Sequence, residues 1–269
     1  MKPARSASRL CQRLPALLLA ALAGTAPAQQ RVIPLTELKS GLAYTGEDVR
    51  ALQGDDFANP GMLWVERGEK LWSTPAGAGG GQSCASCHQD AKASMKGVST
   101  RYPAFDTAAG RLFNIEARIN ACRTDRQKAE ALKPESEDLL ALTAYINHQS
   151  QGLPIKVAID GPARPYFERG RDFYYTKRGQ MNMSCATCHE ANFGKRLFAE
   201  TISQGHPNAY PIYRLEWQTM GSLHRRMRSC LFGVRAELLP VGSPPLLDLE
   251  LFLAWRAEGL KVETPGVRR

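Results

Sequence analysis

Two short stretches carry most of the chemistry in this chain. Cys84-Ala85-Ser86-Cys87-His88 and Cys185-Ala186-Thr187-Cys188-His189 both read C-x-x-C-H. Two thiols at this spacing on a helical turn can add to the two vinyl groups of a porphyrin, and the histidine that follows puts an imidazole under the iron. The competing chemistry is a zinc ribbon or a redox dithiol. Zinc needs four converging ligands, typically two knuckles about 15–20 residues apart. Here the knuckles are 101 residues apart and each has its own histidine. Cys84, Cys87, Cys185 and Cys188 therefore read as attachment points for two covalent haem c groups, with His88 and His189 as iron ligands.

Each iron has a second face. Met95, Met220, Met227, His148, His206 and His224 are candidate ligands there, together with Cys122 and Cys230. Cys122 follows His88 by 34 residues and Cys230 follows His189 by 41. Equivalent places favour each cysteine near its own iron over a Cys122–Cys230 disulfide, which needs Cα atoms within about 7 Å. Free thiols are the remaining alternative. A thiolate is a good ligand for ferric iron. Arg118 and Arg226 each stand four residues before these cysteines and share a helical face with them. Arg118 reads as a solvated arginine or a haem-propionate partner. Around Cys230, His224, Arg225, Arg226 and Arg228 crowd together. Such cations hold a thiolate ionised and attract an anion.

The elements that position these residues recur. Glu66-Arg67-Gly68 corresponds to Glu168-Arg169-Gly170 at an offset of 102. Tyr102-Pro103 corresponds to Tyr210-Pro211, and Arg118-x-x-x-Cys122 to Arg226-x-x-x-Cys230, both at 108. The apolar runs from Leu139 and Leu247 also align near 108. Each half reads as helix, haem motif, loop, short helix with Arg-x-x-x-Cys, and closing apolar helix. Few alternating strand patterns occur. The expected fold is mainly α: two class I-like cytochrome c domains related by internal duplication, after an N-terminal extension. The seam lies where Pro and Gly cluster, between Gly152 and Pro165. Gly77 to Gly81 reads as a flexible entry to the first haem motif; the Gly-Lys-Ser/Thr of a phosphate loop is lacking.

The first residues form an address. Lys2, Arg5, Arg9 and Arg13 precede an apolar run from Leu14 to Ala23, and Ala26-Pro27-Ala28 offers an A-x-A cleavage site. An apolar run of about ten residues is too short to span a bilayer, which takes about 20. Cleavage near Ala28 leaves 241 of the 269 residues, without Cys11, and lowers the net charge from +9 to +5. The expected organisation is residues 1–28 as signal peptide, 29–60 as extension, 61–153 as the first haem domain and 154–269 as the second. The expected location is the periplasm, with no membrane span after cleavage. A mean hydropathy of −0.34 excludes a polytopic membrane protein. The modest mature charge and the lack of aromatic interleaving argue against nucleic acid as a partner.

These features together resemble the SoxA family, the cytochrome subunits of SoxAX complexes in bacterial sulfur oxidation. The two C-x-x-C-H motifs, the positions of Cys122 and Cys230, the stretch Arg226 to Cys230, Leu249 to Leu260 and the ending Thr264-Pro265-Gly266-Val267-Arg268 carry the resemblance. It covers most of the mature chain and points to the dihaem branch. The resemblance implies a periplasmic enzyme, an L-cysteine S-thiosulfotransferase, that joins thiosulfate to a cysteine of the carrier SoxYZ. Two electrons leave through haem to a SoxX-type small cytochrome in a heterodimer. It implies His/Cys ligation of both haems, with Cys122 and Cys230 as axial ligands. The second haem is the catalytic one, and its axial cysteine, Cys230, is able to carry a persulfide. Arg226 is the substrate-guiding arginine. Two other readings stand beside it: a non-enzymatic dihaem electron shuttle, with Met or His as sixth ligands, and a dihaem peroxidase, with an open or His-ligated iron.

Overall fold

The structure, a computed structural model, describes Met1, residues 31–77 and residues 81–269. The signal-peptide expectation, and most of the glycine-rich entry to the first haem motif, lie outside the described residues. Residues Val32–Arg269 form one compact unit.

Ten α-helices and seven short strands are found among the described residues. After α1 (Glu47–Gly54) the first half runs α2 (Met62–Ser73), α3 (Cys84–His88), α4 (Ala91–Ser94), the hairpin β1–β2 (Ala104–Asp106 and Arg111–Phe113), α5 (Ile115–Asp125) and α6 (Glu137–His148). The second half runs α7 (Arg164–Tyr175), α8 (Cys185–His189), the small hairpin β3–β4 (Arg196–Leu197 and Glu200–Thr201), the hairpin β5–β6 (Ile212–Arg214 and Thr219–Gly221), α9 (Leu223–Gly233) and α10 (Pro244–Arg256). Strand β7 (Gly266–Arg268) closes the chain. The fold is mainly helical, as expected, and the order of elements in the first half recurs in the second, except that the hairpin β3–β4 stands where the first half has α4.

Helices α6 and α10 are apolar nearly all round: Leu139 to Ile146 are all buried, as are Leu251 to Arg256. A helix of that kind needs cover on several faces. Helix α2 covers α6 and α7 covers α10. Both crossings are made on a glycine. A Cβ on Gly68 would lie 2.2 Å from the Ala141 carbonyl oxygen, and one on Gly170 would lie 2.0 Å from that of Asp248. The Glu-Arg-Gly repeat seen in the sequence therefore has a packing cause. Its arginine serves the same crossing: Arg67 donates to Asp138 at 2.6 and 2.8 Å, and Arg169 to Asp248 at 2.6 Å.

The hairpins join the halves reciprocally. Leu112 of β2 is buried in the core around α7 and α10. Met220 of β6, its counterpart at offset 108, is buried in the core around α2 and α6. The seam is also stitched by backbone bonds. Gly152 donates to Val262, Ile155 to Leu260 and Lys156 to Thr100, at 2.8–2.9 Å.

The C-terminal tail was legible only as a family ending; in the structure it is a third strand. β7 pairs parallel with β5, Ile212 opposite Gly266 and Arg214 opposite Arg268, so the second hairpin becomes a three-stranded sheet. The first hairpin remains two-stranded. The extension is bound to this tail. Gln53 accepts from the Val267 backbone at 2.9 Å, Asn59 donates to the Pro265 carbonyl at 3.0 Å and Ser40 donates to Glu263 at 2.7 Å.

Replacing Gly170 with Ala forces α7 away from α10. The expected cost is about 1–3 kcal/mol, or roughly 3–10 °C in melting midpoint for a chain of this size. Thermal denaturation of the exported, haem-loaded protein reads it. An unchanged midpoint contradicts the close crossing.

Candidate functional site

The C-x-x-C-H segments are single helical turns, each started by a serine. Ser83 accepts from the Ser86 backbone at 3.1 Å, and Ser86 returns the bond to the Ser83 backbone at 3.1 Å. Ser184 and Thr187 make the same reciprocal pair at 3.1 and 3.2 Å. These capping boxes fix turns too short to be stable alone. Sequence reasoning passed over Ser83 and Ser184; the signal was present as Ser-x-x-Ser and Ser-x-x-Thr.

His189 is held by its environment. Its Nδ1 lies 2.8 Å from the Ser203 carbonyl oxygen, so that nitrogen carries the proton and Nε2 is left with its lone pair for a metal. Gly205, at φ +73°, lies under the ring, and a Cβ there would sit 2.7 Å from His189 Cγ. The residue is glycine for two reasons, the positive φ and the ring. Sequence reasoning missed it. His88 is placed differently, against Trp72 with ring centroids 5.8 Å apart. Trp72 Nε1 donates to the Gln89 carbonyl at 2.9 Å.

Helices α5 and α9 bring the remaining cysteines to these turns. Both start on a side-chain cap: Asn114 accepts from Ala117 at 2.9 Å and Ser222 from Arg225 at 3.1 Å. Cys122 faces Cys84 and Cys87 closely enough for their charges to interact. Cys230 faces Cys185, Cys188 and His189. No disulfide is formed by the described cysteines. The other sixth-ligand candidates contact other segments. Met95, Met220 and Met227 are buried in the apolar cores. His148 Nδ1 lies 3.2 Å from the Thr264 carbonyl, His206 bonds Gln204, and His224 accepts from Gly242.

The two cysteines differ electrostatically. Burial pushes the Cys122 thiol up, and Arg118 and Arg126 offset it only in part. Desolvation acts on Cys230 as well, but the charge of Arg226, the neighbouring His189 and Arg214 outweigh it and bring the thiol down to about 7. Burial drives Cys185 up to about 12, with Cys230 adding to the rise. The cause of the difference is what surrounds each arginine. Arg118 donates to Asp106 at 2.5 Å and to the Tyr102 hydroxyl at 3.3 Å, and stacks 4.2 Å over Phe113. Arg118 is thus a structural ion pair rather than a solvated residue. Arg226 forms no carboxylate ion pair among the described residues, and the charge acting most on it is that of Cys230. Arg225 is turned away, 4.2 Å over Trp217, and Arg228 is turned to the Leu239 carbonyl. Of the basic cluster expected around the thiol, Arg226 faces it and the buried Arg214, which the sequence reading did not single out, joins it.

These residues fit haem: paired thiols on a fixed turn, an imidazole whose free nitrogen is set by a backbone carbonyl, and a second sulfur opposite. Such a helical fold with such a turn defines a c-type cytochrome, with haem c attached covalently. Residues 67–155 match the family described as SoxA/TsdA, cytochrome c domain. The chain is 46% identical over 237 residues to the L-cysteine S-thiosulfotransferase subunit SoxA of Pseudaminobacter salicylatoxidans, covering 88% of this chain and 82% of that one. It is 41% identical to the subunit of the same name from Rhodovulum sulfidophilum, covering 86% and 80%. The crystal structure of SoxXA from P. pantotrophus superposes with a TM-score of 0.83 at 40% identity, over 86% of this chain and 87% of that one. The chain belongs to the SoxA family.

Replacing Gly205 with Ala tilts the His189 ring. The expected outcome is a changed ferric EPR signal from the haem on Cys185 and Cys188, with the covalent attachment intact. An unaltered spectrum contradicts the contact.

Proposed function

We propose that this protein is the haem-bearing thiosulfotransferase subunit of a SoxAX-type complex. It joins thiosulfate to a cysteine of a SoxYZ-type carrier and passes two electrons to a SoxX-type cytochrome. The observation that carries this is the Cys230 thiol, beside His189 and facing the unpaired guanidinium of Arg226. The names of the relatives agree with it.

The reaction balances as a carrier thiolate plus thiosulfate giving a carrier-S-thiosulfonate and two electrons. Two haem c groups are expected, one on Cys84, Cys87 and His88 with Cys122 opposite, the other on Cys185, Cys188 and His189 with Cys230 opposite. When bound, haem supplies the electron acceptor for this oxidation. The chain's own residues bind and orient. Arg226 reaches the sulfonate end of thiosulfate with a planar, bidentate donor, which leaves the outer sulfur toward the Cys230 side. The cationic surroundings lower the Cys230 thiol and so favour its thiolate, the form that ligates iron. The matching caps, crossings and exchanged residues of the two halves support internal duplication, with the second half, residues 154–269, as the catalytic one. Among the described residues no helix is long and apolar enough to cross a membrane. Export to the periplasm after cleavage near Ala28 completes the reading.

Two measurements test it. Replacing Cys230 with Ala in the haem-loaded complex abolishes thiosulfate-dependent turnover with the carrier, while R226Q lowers kcat/KM about 10²-fold, the loss of one charge-assisted contact. Undiminished turnover in the Cys230 variant defeats the proposal. Intact-mass measurement finds two haem adducts in the wild type and one after replacement of both Cys84 and Cys87; a single adduct in the wild type contradicts the count.

A further inference from the structure

The two halves differ by an inverted charge at one position, and that inversion points to a residue with a role in anion binding. Asp106 ends β1 and Arg214 ends β5, 108 residues later. This is the offset that relates Arg118 to Arg226, Cys122 to Cys230 and Leu112 to Met220. In the first half the strand residue is an acid, and it takes the helix arginine: Asp106 and Arg118 meet at 2.5 Å. In the second half the same place holds a base. With no acid at that place, Arg226 forms no ion pair among the described residues; the charge of Cys230 acts on it most, ahead of those of Glu216 and Glu200.

Arg214 is itself firmly placed. Its side chain is 7% exposed and donates to Glu216 at 2.8 Å. Its guanidinium lies 5.2 Å over the Trp217 ring. The Glu216 side chain is 51% exposed, so water screens much of its charge, while the charge of Arg214 still acts on Cys230 and the partly buried Tyr210. On the other side of β5, Arg268 of β7 is bound to Glu263 and Gln53.

We propose that Arg214 is a positioning residue for a sulfur oxyanion. It stands where the first half has the acid that takes up Arg118, and it adds a second positive charge to that of Arg226 where a doubly charged anion enters. The Asp106–Arg118 pair makes the first half unreceptive to the same anion. This rests on the thiosulfate reading of the site and names what makes one half selective for it.

The test uses the haem-loaded complex and thiosulfate itself as the probe. Binding is followed by the change in the haem absorption and EPR spectra, and turnover with the carrier is measured separately. R214Q is expected to weaken thiosulfate binding about tenfold, with haem loading unchanged, and R214K to restore most of it. R214D, which rebuilds the first half's ion pair around Arg226, is expected to weaken binding at least as much as R226Q. E216Q, a change on the solvent side, is expected to tighten binding a few-fold. Unchanged binding in R214Q and R214D, failure of R214K to recover it, or looser binding in E216Q each overturns the role. If R214D does not fold, the Gln, Lys and Glu216 variants decide. If thiosulfate binds with this dependence on Arg214 but no turnover occurs with the carrier, the enzymatic reading fails and the positioning role stands. If the wild type binds no thiosulfate, the role fails with it.

Discussion

Two helix crossings without a side chain between them set the geometry of this protein. At Gly68 and Gly170 the backbones of α2 and α7 press directly on α6 and α10, within the space a single methyl group would take. A closing helix that is apolar nearly all round can be sealed only by such close neighbours. The haem-motif turns α3 and α8 follow the covering helices, and the cysteine helices α5 and α9 precede the closing ones. The distance from each C-x-x-C-H turn to its opposing sulfur is therefore inherited from the crossings. Arg67 and Asp138 are exposed enough to add little energy, whereas Asp248 is buried and depends on Arg169 as its partner.

On this common frame the halves diverge by electrostatics. The first places the partly buried Cys122 beside an arginine already neutralised by Asp106. The second places its cysteine among cations that no carboxylate fully cancels. Hydrogen bonding separates them too, since the His189 ring is tied to a backbone carbonyl and packed over Gly205, whereas His88 rests against Trp72. An equal backbone with unequal charge gives one half an arginine neutralised by an acid and the other an arginine with no ion pair among the described residues. The third strand β7 contributes here, because it anchors the β5 strand that carries Arg214.

Much of the site was legible in the sequence because covalent chemistry imposes spacing. The thiols, the following histidines and the matched positions of Cys122 and Cys230 are local facts of order, and helical periodicity placed Arg226 on the Cys230 face. The mainly α fold followed from apolar runs and few alternating patterns. What escaped notice has two kinds of cause. Ser83 and Ser184 were visible as Ser-x-x-Ser and Ser-x-x-Thr, but their purpose depends on which backbone groups need a partner; the Glu-Arg-Gly repeat was read as a repeat, and the close helix approach it serves is a tertiary contact. Gly205 and Arg214 gave no local signal: one is defined by a ring 16 residues away in sequence, the other by what the same position holds 108 residues earlier.

The sequence by itself determined which groups carry chemistry and that they recur, because reactive atoms and helical repeats are properties of neighbours along the chain. Only the tertiary structure decided which arginine stays unpaired, how Leu112 and Met220 lock each half into the other, and that the tail becomes a strand of the second sheet. Those outcomes depend on desolvation and on contacts between distant segments. A charge or a side chain there is worth what its surroundings in space make it, and the linear order does not specify them.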